Sequence, residues 1–356
     1  MGRMKIKTDD AGKIVFIDVL KSFACLCVVI GHVIRGMRKE PIEVSVVLSV
    51  LADFVYYFHV PCFFFASGYL YANKQLKSLE EYRKFICKKL IALGIPYFAC
   101  SVFYIMMGSI VSSDISFNSL PGLVGELLMA PVAQYWYLYA LFEMFVIVPV
   151  IEYMFRKTDK GWILFLLIVA ALGVRVDTLW IKYLVLYTCY FYLGAYFNQK
   201  NIIKKYHVYE MDSRKLLLFS GLLSVGLYGV YKYVLAELII HKSVNNVFQG
   251  TVKLLLVGCM VMMAIAITHT DNAINRFLNR LAPYSLYIYL FHTWFTGLTR
   301  VLLCKTGIYS DWLHMLCGMA AGVAGPLVVA LVIRKIPFFR FWIEPLRILG
   351  KKNTVL

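Results

Sequence analysis

The chain has 356 residues, 61% of them hydrophobic and only 16% charged, with a mean hydropathy of +0.71. Soluble domains are nearer half apolar and a quarter charged, so a water-soluble globule is excluded and the bilayer must solvate much of the surface. The formal charge of +17 does not indicate nucleic acid, because Lys and Arg fall in short clusters between apolar runs, where they suit membrane lipids or a phosphorylated cosubstrate.

Ten apolar runs follow one another near 14–36, 46–72, 88–110, 135–154, 161–175, 179–198, 216–236, 251–269, 283–304 and 312–333. About 20 apolar residues cross a bilayer as a helix. The pattern therefore predicts an all-α integral membrane protein of about ten transmembrane helices. It forms one polytopic domain, 1–356, with a short N-terminal tail, 1–13, and a C-terminal tail, 336–356. The fifth run is short, and "RVDTLW" (175–180) reads as a hinge between the fifth and sixth. The segments on one side of the membrane hold 26 Lys and Arg, and those on the other hold 9, with Lys253 among the latter. That asymmetry predicts that the N- and C-termini are both cytoplasmic. The first run lacks a small-residue cleavage site and is expected to stay in the mature protein. The outer segment 112–134 has no Lys or Arg, and its middle, "LPGLVGELLMAP", suits a short interfacial helix. The nine cysteines show neither zinc-finger nor Cys-x-x-Cys spacing, so no metal is expected and they read as small apolar packing residues.

The first run, "IDVLKSFACLCVVIGH" (17–32), carries Asp18, Lys21 and His32. Each ionisable group at membrane depth costs about 2.5–3.5 kcal/mol on insertion scales. At 100° per residue, Lys21 and His32 return to within roughly 20° of one face, and Asp18 lies within roughly 40° of His32. Such a face is expected to look into the bundle or a wet cavity. The plain alternative for Asp18 and Lys21 is an i,i+3 pair near the interface with Lys21 snorkelling. For His32 it is a packing histidine.

The second run, "FHVPCFFFASGYL" (58–70), sets His59 beside Pro61, which is expected to break the helix locally. In the fourth, "YWYLYALFEMF" (135–145), Trp136, Tyr137 and Tyr139 suit an interfacial aromatic belt, and the deeper Glu143 needs a partner. It is a candidate to hold a histidine in one tautomer. In the ninth, "YSLYIYLFHTWF" (284–295), Ser285, Tyr289 and His292 share a face at i, i+4, i+7. Three histidines in three spans exceed what packing needs.

Together these stretches resemble the acyltransferase-3 family of membrane O-acyltransferases, closest to its fucose-4-O-acetylase-like branch. The family's first-span pattern of a basic residue, ten residues and then His is matched by Lys21 and His32. Its His-Met-Pro-x-Phe-Phe-x-x-Ser-Gly pattern is matched by His59, Pro61, Phe63, Phe64, Ser67 and Gly68. A Trp-aromatic-Leu element appears as Trp136, Tyr137, Leu138 and Leu141, and a late Ser-x-x-x-Tyr-x-x-His element as Ser285, Tyr289 and His292. Lys21 stands where many members have Arg, offering a point charge in place of a bidentate fork.

The resemblance implies an acyl-CoA-dependent O-acyltransferase of the bacterial cytoplasmic (inner) membrane. It would move an acyl group, usually acetyl, from cytoplasmic acyl-CoA to a hydroxyl of a surface glycan or a lipid-linked sugar precursor. No cofactor is bound permanently; acetyl-CoA is a cosubstrate. Lys21, Lys88, Lys89 and Ser67 would hold CoA. His32 would be the general base or carry the acyl group, with Asp18 orienting Lys21. His59, Tyr289 and His292 would act as donors to the thioester oxygen or as proton partners. The alternative class is a polytopic transporter or flippase for a glycan or small polar substrate, although no repeat relates the two halves. Whether the chain forms a homo-oligomer is open.

Overall fold

The computed structural model describes residues 15–72, 78–111, 127, 131–173, 179–239, 241–270 and 272–352. These residues are all-helical, with turns and no strands. In chain order the principal helices are α1 (Val15–Met37), α2 (Val46–Tyr71), α3 (Leu79–Lys89), α4 (Ile95–Val111), α5 (Trp136–Met154), α6 (Lys160–Gly173) and α7 (Leu179–Gln199). They continue as α8 (Ser213–Val230), α9 (Lys242–Thr268), α10 (Ala273–Leu281), α11 (Ser285–Lys305), α12 (Asp311–Lys335), α13 (Pro337–Ile343) and α14 (Pro345–Lys352).

A helix stands at each of the ten apolar runs. Seven stretches are long and apolar enough to cross a membrane: 15–37, 46–71, 79–107, 133–154, 213–238, 244–268 and 311–335. The chain is thus an integral membrane protein in build. Helix α6 is apolar but short, and α7 and α11 are diluted by tyrosine, threonine, lysine and arginine. The N-terminal tail and the centre of the 175–180 hinge lie outside the described residues, as does nearly all of "LPGLVGELLMAP".

Local signals explain the helix starts. Ser78, Asp212 and Asn272 each accept a hydrogen bond from the backbone N–H three residues on, filling one of the donors that a helix start leaves open. Two expectations are corrected. Pro61 does not break α2, which runs unbroken past it. One lost backbone hydrogen bond is tolerated when neighbouring helices enclose the site. The third span also begins earlier than hydropathy suggests. Helix α3 runs through a π-helical turn, Leu90–Gly94, directly into α4, which leaves Lys88 and Lys89 within a continuous rod.

The chain divides into two compact units. The first comprises Met1–Asn73, Ala171–Gly173 and Tyr190–Val328; the second comprises Lys74–Ala170, Val174–Cys189 and Val329–Leu356.

In the first unit α1 is the central post. Within its membrane window 67% of residues are buried, against 22% for α8, so α1 is surrounded by protein while α8 faces outward. Helices α2, α9, α10 and α11 pack on α1. The core there includes Cys25, Val29, Val33, Ile34, Leu48 and Ile288. Near the far end of α2 the backbones almost touch. A Cβ on Gly68 would stand 1.7 Å from the Phe191 carbonyl oxygen, and one on Gly194 would stand 2.0 Å from that of Phe65. The Ser-Gly pair in the second run is therefore in part a helix-crossing device, reinforced by Asn198 donating to the Tyr69 carbonyl at 2.7 Å.

In the second unit Trp136 stacks on Tyr183 with centroids 4.1 Å apart. Tyr82 donates to the Val146 carbonyl at 3.0 Å, fastening α3 to α5. The chain's last helices turn back beside this unit's spans, with α13 on α4 and α14 on the π-helical turn. Their corner is held by Glu344, whose carboxylate meets Arg334 and Arg340 at 3.0 Å and Arg347 at 3.4 Å.

Candidate active site

The three histidines singled out by the sequence, His32, His59 and His292, all belong to the first unit, and they converge. His32 on α1 and His292 on α11 meet edge to face with ring centroids 4.9 Å apart and planes at 71°. Parallel packing of α1 and α11 puts the two residues at one level. Cys25, seven residues before His32, donates its thiol to the carbonyl of Ser285, seven before His292, at 3.6 Å. His59 enters from α2, within electrostatic range of both. It packs on Tyr56, one turn earlier, with centroids 4.8 Å apart. The Arg35 guanidinium lies 3.8 Å over the other partner of that pair, the Tyr56 ring. Gly31 makes room for this arrangement, since a Cβ there would come within 2.9 Å of the Tyr56 ring.

Main-chain carbonyls set the tautomers of two of these rings. His292 Nδ1 lies 2.8 Å from the Ile288 carbonyl and 3.0 Å from that of Tyr289, and His59 Nδ1 meets the Val55 carbonyl. A carbonyl only accepts, so each Nδ1 carries the proton and each Nε2 presents a lone pair. His292 is fully buried, and its Nε2 has no hydrogen-bond partner. An imidazole held this way has no N–H to offer at Nε2. It can take a proton or accept a hydrogen bond, and the neutral ring so held cannot donate from Nε2 to a thioester oxygen. Ser285 Oγ on the same helix is likewise buried without a partner. Tyr289 is buried one turn before His292.

Lys21 and Asp18 form the i,i+3 ion pair, Nζ to Oδ1 at 2.6 Å, with each side chain about one quarter exposed. Between Lys21 and His32 the same face carries Cys25 and Val28, both buried, so this face looks into protein as its charge pattern requires. Ser67 is half-buried on α2, next to the Gly68 crossing.

Residues 14–331 match the family model described as an acyltransferase domain. The chain belongs to the acyltransferase-3 family. It is accordingly a multi-pass membrane acyltransferase in general class. Neither the curated proteins nor the solved structures compared with it give a match.

Within this acyltransferase-3 fold the other expected site residues lie in the second unit. Lys88 is exposed at the end of α3, and the Lys89 ammonium sits 3.7 Å over the Phe145 ring. Glu143 lines an apolar cavity of about 320 Å³ with Leu93, Tyr97, Phe98, Leu138 and Phe142. Its Oε2 is buried without a hydrogen-bond partner. The tautomer-fixing role that sequence assigned to Glu143 is taken, for His59 and His292, by the carbonyls named above. Two neighbours of the histidines escaped the sequence reading: Tyr56 and Arg35. Their spacing held the signal, since Tyr56 precedes His59 by three residues and Arg35 follows His32 by three, each on the adjoining helical turn.

Proposed function

We propose that the protein is an O-acyltransferase of the fucose-4-O-acetylase-like branch, set in a bacterial inner membrane by ten spans with both termini cytoplasmic. It moves an acetyl group from cytoplasmic acetyl-CoA to a hydroxyl of a surface glycan or its lipid-linked precursor. The observation that carries this reading is the contact between His32 and His292, with a bare Nε2 at full burial. A sugar hydroxyl ionises far above neutral pH, so its attack needs a positioned base.

In the proposed step His32 removes the hydroxyl proton as the oxygen attacks the thioester carbonyl. The tetrahedral adduct then collapses, breaking the C–S bond, and the CoA thiolate takes the proton back. His292 and His59 accept hydrogen bonds from neighbouring hydroxyls of the acceptor and so align it, and Arg35 lies close enough to offset developing negative charge. Lys21 holds a CoA phosphate by exchanging its Asp18 partner for the stronger anion, with Ser67 of the same unit as a further contact.

Purified protein in detergent, given acetyl-CoA and glycan acceptors, tests this by thiol release. His32→Ala should lower turnover by about 10²–10⁴, the range for loss of a general base. Unchanged turnover in a folded variant refutes the assignment. Acetyl-CoA should also raise the melting temperature, by an amount that follows mass action. A transporter unrelated to CoA would not respond.

A further inference from the structure

A second polar cluster in the first unit plays no part in the chemistry above. It is built from α2, from the end of α8 with its π-helical continuation, Tyr231–Leu235, and from the start of α9. Asp53 and Tyr57 are one turn apart on α2, on a face adjoining the one that carries Tyr56 and His59. The Lys232 ammonium reaches Asp53 at 3.2 Å. Lys253 lies eleven residues into α9, roughly 16 Å along it at 1.5 Å per residue. Its contacts are neutral: Gln249 Oε1 at 3.1 Å and the Tyr57 ring face at 5.3 Å from the centroid. Among the described residues no carboxylate pairs with it, and the cluster's acid, Asp53, is engaged by Lys232. The cluster therefore has a surplus positive charge within a membrane helix, and such a charge is costly unless a ligand or pathway requires it.

The rest of the cluster suits a sugar ring. The half-buried Tyr57 and the buried Tyr228 meet edge to face at 5.3 Å, which sets the orientation of both rings. The Tyr228 hydroxyl is buried and has no hydrogen-bond partner. Tyr231 donates to Asn245 at 2.7 Å, which leaves that amide's N–H groups for another acceptor. Aromatic faces beside convergent amide and hydroxyl groups make a site for a polyhydroxylated ring, and a lone ammonium adds a place for an anion.

We propose that this cluster is the acceptor subsite and that it takes a saccharide bearing an anionic substituent, a carboxylate or a phosphate. Lys253 holds the anion, Tyr57 and Tyr228 hold the ring, and Asp53 with Asn245 takes ring hydroxyls. The proposal rests on the acyltransferase reading for what happens to the bound sugar. Tyr57 directly follows Tyr56, so a sugar seated here is within about 3 Å of His59's level along α2.

The test uses the whole protein in nanodiscs of neutral phosphatidylcholine. Thermal shift and acetyl transfer are measured with tetragalacturonate, a hyaluronan tetrasaccharide and glucose 6-phosphate, against maltotetraose and chitotetraose. At least one anionic sugar should stabilise the protein where the neutral sugars do not, and the three probes separate carboxylate from phosphate. Lys253→Gln should weaken that binding about tenfold to a hundredfold, as expected when a charge-assisted hydrogen bond is lost. Tyr57→Leu should weaken it while Tyr57→Phe retains it, and the acetyl-CoA shift in each variant reports that the fold is intact. The proposal fails if no anionic sugar binds, if neutral sugars bind as well, or if Lys253→Gln leaves binding unchanged. It also fails if phosphatidylglycerol discs give the Lys253-dependent shift and sugars give none, which would make the ligand a lipid. Lys253-dependent sugar binding without any acetyl-CoA shift would leave the subsite standing and overturn the donor reading.

Discussion

His292 and Glu143 each place an ionisable side chain in the middle of a long apolar helix, and each keeps one buried polar atom without a partner. Their surroundings differ. His292 has a second imidazole against it, a third within electrostatic range, and two carbonyls that determine where its proton sits. Glu143 is walled by leucine, phenylalanine and tyrosine in a cavity with little polar lining. A buried polar group by itself is only a cost; chemistry needs several such groups aimed at one point. An unpartnered buried atom therefore does not separate the two positions, whereas convergence does.

The largest expected effect sharpens this contrast. His292→Gln should cut acetyl-CoA turnover by about 10²-fold while leaving the acetyl-CoA-induced thermal shift in place, since it removes a group that aligns the acceptor and no donor contact. A loss of both at once would mean that His292 is mainly structural. Next come packing and charge at positions outside both sites. Gly68→Ala should destabilise the first unit by about 3 kcal/mol or more, because the new methyl meets a backbone carbonyl that cannot step aside. Glu344→Ala should cost the second unit about 1.5–3 kcal/mol, because it removes the carboxylate that Arg334, Arg340 and Arg347 share. Denaturation followed in lipid-matched detergent measures both, and a loss below 1 kcal/mol in either would contradict the packing described.

Glu143→Leu tests the other half of the comparison. Replacing a carboxyl that keeps one buried oxygen without a partner by an apolar side chain of similar volume should be neutral or stabilising by about 1 kcal/mol. A marked loss would reveal a partner for that carboxyl. The smallest effect belongs to Asp18→Asn. The ion pair is partly exposed, so stability should change by less than about 1 kcal/mol. Freed of its counterion, Lys21 should bind acetyl-CoA at least as tightly, measured by the ligand concentration that gives half the thermal shift.

Much of this was legible from one chain. The helices stand where apolar runs predicted them, because a bilayer leaves the backbone no alternative to internal hydrogen bonding. The histidines were conspicuous because ionisable residues are rare in such runs. Other features were hidden for physical reasons. The start of α9 reads "HKSVNNVFQG", too polar to count as a span, so the eighth run begins only at 251 and Lys253 counts with the outer charges at its edge. Packing against Tyr57, eleven residues into α9, makes it helix interior. Pro61 signals a break in any isolated helix, yet α2 continues because its neighbours enclose it. Tyr56 and Arg35 look like interfacial residues until α1 and α2 are set side by side.

By itself the sequence determined the membrane environment, the helical segments, the family and the three histidines worth watching, since hydropathy, periodicity and short motifs are local quantities. Only the tertiary structure decided which rings touch, which carbonyls fix their protons, that Glu143 lies in an apolar cavity and that Lys253 lacks an acidic partner among the described residues. Those are distances between segments far apart in the chain, and they exist only once helices pack.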